Sequence, residues 1–144
     1  MKEVVLELAN AVTTELSRAQ FSQWFEPKFE FRPLDDLAEL RDLHVSVVPG
    51  GFGNFKLDRG FDTADYCVHV IVRQKTDMNA SRLAALVALM QEIADHFWKN
   101  PLPGFQNAYC LEVASDPLYS LSDLEKRMDF VGRIRLVYRV RREQ

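Results

Sequence analysis

The sequence predicts a two-layer α+β domain: a mostly antiparallel mixed sheet with two main helices packed on one face and a long β-hairpin. Three observations lead there. Residues 2–19 repeat Val5, Leu8, Val12 and Leu16 at helical spacing, and Leu83, Leu86, Val87, Met90, Ile93 and Phe97 do the same further on. Between and after these helices the period falls to two, as in Tyr66, Val68, Val70 and Val72 against Cys67, His69, Ile71 and Arg73. In residues 130–141, Phe130, Ile134, Leu136, Tyr138 and Val140 fall on one side of a strand and Arg133, Arg135, Arg139 and Arg141 on the other. One side of that strand requires a core and the other requires solvent or anions.

Taken in order, the first helix has a single apolar stripe to bury. From Trp24, the residues Phe25, Pro27, Phe29 and Phe31 alternate with charged ones, and the proline argues for an edge strand. Residues 34–43 read as a turn or short connecting helix among acids, and residues 44–49 as a strand. Gly50, Gly51, Phe52, Gly53 and Asn54 form a glycine-rich link, read as the tip of the hairpin that continues through residues 55–60 and 64–75. The second face of that last strand is only partly polar, so something is expected to cover it. Residues 76–79 offer helix caps for a long helix ending near Trp98, which Asn100-Pro101 terminates. Residues 108–114 are a short strand, and Ser122-Asp123-Leu124-Glu125 has the form of a capping box at the start of a brief helix before the final strand. The two helices are expected to bury the Phe25, Val70 and Leu136 side of the sheet, leaving an outer face with the arginine row.

The 144 residues suit one domain, 1–144, and the formal charge of −3 gives no general attraction to nucleic acid or membrane, although the C-terminal arginines make a local basic patch. Two cysteines, Cys67 and Cys110, with no CxxC and no visible secretory leader, suggest reduced thiols and assembly in a cytoplasm. No stretch approaches the roughly 18 consecutive apolar residues of a membrane span.

Signatures of chemistry are sparse. Cys67 and His69 point the same way at i and i+2, but no orienting group or oxyanion loop accompanies them, and they read as packing residues. His44, His69 and His96 lie on separate elements without paired ligand spacing, so no metal is assigned. The glycine link is followed by a strand rather than a helix, which is not the context of a phosphate-binding loop. It is either an exposed tip offering Phe52 to a partner or a plain turn. Asp35, Asp36 and Glu39 read as the solvated face of a turn. The arginine row has three readings: it holds phosphates, pairs with acids on a neighbouring subunit, or keeps a strand edge soluble. Acids are plentiful in the chain, which favours pairing with an identical neighbour in a ring. No catalytic or cofactor-binding set is assigned, and the chain is not expected to be an enzyme.

Several stretches also resemble the tail terminator, or tail-completion, proteins of long-tailed siphophages and prophages. They are Ala9-Asn10-Ala11-Val12, the segment from Leu40 through Arg41-Asp42-Leu43-His44-Val45 to Pro49, Asp65-Tyr66, and Leu89-Met90-Gln91-Glu92-Ile93-Ala94-Asp95. Asp116-Pro117-Leu118-Tyr119, Leu124-Glu125 and the closing arginine strand complete the set. The resemblance spans nearly the whole chain and implies a structural virion protein, assembled in the host cytoplasm and located at the head-proximal end of the tail. Such proteins form a ring, usually a hexamer, that stops tube growth and supports head-tail joining. Implied partners are copies of itself, the tail tube protein and a head-tail connector protein, with genomic DNA near the lumen. Alternatives are a minor head-tail connector of the same fold, or a small α+β enzyme or ligand-binding domain.

Overall fold

The computed structural model describes residues 3–32, 41–76 and 79–143, without the side chains of Asp58 and Glu143. Lys2, most of the connector expected at residues 34–43, including Asp35, Asp36 and Glu39, and Asp77 and Met78 of the cap region lie outside the described residues. The elements run α1 (Val4–Arg18), β1 (Pro27–Phe29), β2 (His44–Asp58), β3 (Phe61–Lys75), α2 (Ala80–Lys99), β4 (Ala108–Ala114), α3 (Leu121–Arg127) and β5 (Asp129–Glu143). The five strands form one mixed sheet in the order β1-β2-β3-β5-β4. Only β1 with β2 is parallel; the other pairs are antiparallel. The α+β architecture is therefore as the periodicities predict.

Both main helices lie on one face, α1 against β1, β2 and β3 and α2 against β4 and β5. Leu8, Val12 and Leu16 of α1 and Leu86, Leu89, Met90, Ile93 and Phe97 of α2 are buried there. They meet Phe25, Val45, Val47, Val68, Val70, Val72, Phe130, Ile134 and Leu136 in a single cluster. Burying each such side chain contributes about 1.5–3 kcal/mol before conformational entropy is charged. Asn79 caps α2, its side-chain oxygen accepting from Ser81 N at 2.9 Å and Arg82 N at 3.2 Å. The cap of α3 is Ser120, accepting from Asp123 N, two residues before the expected Ser122. Met128 ends α3 in the left-handed conformation, and its carbonyl accepts from Thr76 N, tying the helix end to β3.

Two further expectations are corrected. The alternating stretch from Trp24 is a strand only over β1; Phe25 is buried, whereas Phe31 is exposed. Gly50, Gly51, Phe52, Gly53 and Asn54 are not the hairpin tip. They lie within β2, and the turn is Arg59-Gly60, since Asp58 pairs with Phe61 and Gly60 takes a positive φ. The glycine run instead marks two irregularities of register, between Pro49 and Phe52 and between Gly53 and Lys56. Asn54 has a positive φ there, which asparagine tolerates better than most residues. The outer face is also less polar than its arginines suggest, because Cys67, Ile71 and Val137 are buried on it together with Arg73 and Asp129.

Candidate functional site

The bulged middle of β2 and the outer sides of β3, β5 and β4 enclose a cleft of about 530 Å³. Its lining gathers residues singled out for separate reasons: Gly51 to Asn54, Cys67 and His69, and Arg135. The bulges bring the first group over β3. Gly50 sits so close that a Cβ there would lie 2.9 Å from the Cys67 carbonyl and 3.0 Å from its Sγ, so a side chain would push β2 away.

Cys67 Sγ lies 3.7 Å from His69 Nε2, as the i, i+2 spacing predicts. Burial, and then the charges of Arg133 and Arg135, hold the His69 pKa below its ordinary value, so its imidazole is neutral near pH 7. His69 Nδ1 is buried and has no hydrogen-bond partner among the described residues. The thiol and base are thus adjacent, but among the described residues no third group orients the ring, as nucleophilic catalysis requires.

At one end of the cleft Asp65 accepts from Arg139 Nε at 2.8 Å, Arg139 Nη2 at 3.1 Å and Asn54 Nδ2 at 2.9 Å. The Arg139 hydrogen bond holds the Asp65 carboxyl below the usual carboxylate range; burial opposes it, and Asn54 and Lys56 reinforce it. Along the side of the cleft Arg135 Nη1 donates to Glu112 at 2.9 Å. Arg141 stacks over Phe61, 4.6 Å from the ring centroid. Of the predicted row Arg133 and Arg141 are exposed with no ion pair among the described residues, Arg141 resting on the Phe61 ring instead. Two of the four, Arg135 and Arg139, therefore meet acids within the chain itself. Asp65 and Glu112 are the acids of the cleft that the sequence alone does not pair with this row. Asp65 shares the parity of Cys67 and His69, but pairing it with Arg139 requires the register of β3 against β5.

No protein-family model matches the chain, and a search of curated proteins finds no match. Among the described residues no helix is long and apolar enough to cross a membrane, and no group of three or more side chains could hold a metal ion.

Proposed function

We propose that the chain is a structural virion subunit that forms a ring, hexameric as its resemblance implies, on the last ring of a phage tail tube. It ends tube polymerisation and offers a surface for head-tail joining. The observation that carries this reading is the far half of β2. β1 pairs only with Val45, Val47 and the residue between them, so β2 beyond Val47 has β3 as its one strand neighbour among the described residues. That half carries Phe52, Phe55 and Leu57 at 63%, 56% and 75% exposure. Exposed apolar side chains beside an open strand edge make a mating surface, and a tube cap needs one such surface. Partners on this reading are identical subunits, the tail tube protein and a connector protein, with genomic DNA passing the lumen.

Imaging of tails assembled without the protein tests the proposal. Tubes of uncontrolled length support termination, whereas normal-length tails lacking heads favour a minor connector. Native mass measurement adds a second check: Phe52→Asp with Leu57→Asp should reduce rings to monomers. Arg133→Glu should weaken ring assembly while the melting temperature holds; unchanged assembly would remove Arg133 from the contact.

A ligand-binding or enzymatic reading has one observation in its favour, the polar cleft at Cys67 and His69. It predicts a monomeric protein whose loss leaves tails normal.

A further inference from the structure

We propose that the chain binds an oxyanion of the phosphate class in a second cleft, at the far end of β3 beside the start of α2. This inference stands apart from the ring reading, since it concerns residues outside both the arginine row and the exposed half of β2. The cleft has a volume of about 810 Å³ and is lined by Arg41, Lys75 and Arg82, with Gln74, Thr76 and Ser81 between them.

Three observations converge on an anion. Arg41, Lys75 and Arg82 are exposed and have no ion pair among the described residues, whereas Arg135, Arg139 and Arg142 each hold a carboxylate. Among the described residues the lining carries no acid. Like charges around a hollow repel one another and concentrate counter-ions there.

The second observation is polar and buried. Thr76 is 7% exposed and its hydroxyl has no hydrogen-bond partner among the described residues; Gln74 is 6% exposed and its Oε1 likewise has none among them, while its Nε2 donates to the Arg41 carbonyl at 3.1 Å. Buried polar atoms are normally paired, so the Thr76 hydroxyl, a donor, points to an acceptor that enters the cleft, and the Gln74 Oε1, itself an acceptor, is met there only by the P–OH of a hydrogen phosphate.

The third is the positive end of α2, a helix of 20 residues, which opens beside the cleft. Asn79 already takes the Ser81 and Arg82 amides, so the side chains would provide the grip and the helix dipole the surrounding potential. Two guanidinium groups, an ammonium and two hydroxyls offer more donors than the two oxygens of one carboxylate accept. A tetrahedral phosphate, with more oxygens and matching fork geometry, accommodates them.

The test is a heteronuclear NMR titration of the full chain with inorganic phosphate, and separately with a single-stranded oligothymidylate, each at constant ionic strength and the second repeated at several salt concentrations. Saturable shifts at the Thr76, Ser81 and Arg82 amides are expected. Lys75→Gln with Arg82→Gln, both at exposed positions, should weaken binding about tenfold or more, from the loss of charge-assisted hydrogen bonds. Arg133→Gln should leave the affinity unchanged. If phosphate saturates and the oligonucleotide binds no tighter, the ligand is a small phosphate. If the oligonucleotide binds at least tenfold tighter, with a log–log salt slope of about −2 for three cations, the ligand is a nucleic-acid backbone. Either result supports the cleft. Shifts that grow linearly with both probes, or an affinity indifferent to the double substitution, would overturn the proposal.

Discussion

Arg139 holds Asp65 from directly across the β3–β5 ladder, Nε to Oδ1 at 2.8 Å and Nη2 to Oδ2 at 3.1 Å. A paired geometry of this kind makes the carboxylate's charge part of the fold. Because the folded pKa of Asp65 lies below its unfolded value near 3.8, the stabilisation is present in full above that value. It is lost as pH falls through the lower folded value. Asp65→Asn should therefore melt at a lower temperature than the native protein at pH 7, and the two should converge in acid. Thermal melts across pH check this, and a gap that stays constant down to pH 2 would contradict it.

His69 makes a second pH prediction with a different cause. Burial is the leading reason its pKa falls below 6.5, with Arg133 and Arg135 secondary. The titration midpoint of its imidazole, followed by NMR, should lie below 6.5. Replacing both arginines by glutamine should raise that midpoint without bringing it to 6.5. The lowered pKa means that its contribution to stability is complete above the unfolded value and declines as pH falls through the folded one.

Gly132 lies under α2, where an added Cβ would overlap Met90 Sδ, approach its Cε to 2.7 Å and come within 3.2 Å of the Leu118 carbonyl. Gly132→Ala should cost about 1–3 kcal/mol by overpacking. Met90→Ala alone should cost about 2–5 kcal/mol by leaving a cavity. The double variant should be more stable than the sum of the two costs implies, because the new methyl enters the space that methionine leaves. Urea unfolding of all four proteins measures the coupling.

Two buried ion pairs should respond unequally to truncation. Asp129 is 0% exposed and accepts from Arg73 Nη2 at 2.8 Å, so Arg73→Met strands a carboxylate and should cost about 3–5 kcal/mol. Glu15 of α1 is buried too, accepting from His96 Nε2 at 2.9 Å and from Arg18. Its partners reach solvent, and Glu15→Gln keeps an acceptor for them. That change should cost about 1 kcal/mol. Equal losses in denaturant unfolding would show that solvent access of the partners does not set the cost.

The two-layer fold was legible because its signals are local. Strict alternation in β5 assigns Ile134, Leu136 and Tyr138 to the core without knowledge of any neighbour, and α1 and α2 carry uninterrupted stripes. Three glycines within Gly50–Asn54 look like a turn and draw the expected hairpin tip there, whereas glycine inside a strand also serves bulges and close approach, as Gly50 does against Cys67. The true turn advertises itself with Gly60 alone. The candidate site was legible only in pieces. Cys67 and His69 meet by local parity, but Arg139 with Asp65 and Arg135 with Glu112 depend on pairing between distant strands, and the Glu112 register is shifted by a bulge after Cys110.

The ladder between β3 and β5 runs unbroken from Phe61 opposite Glu143 to Lys75 opposite Asp129. Antiparallel geometry gives such a ladder a direction-dependent mechanical strength. Tension applied at Phe61 and Asp129, which lie at opposite ends, loads every rung together in shear. Tension applied at Phe61 and Glu143, at the same end, peels the rungs one after another. The central pair of strands is therefore stiff along its length and weak to unzipping from the end beside the Arg59-Gly60 turn.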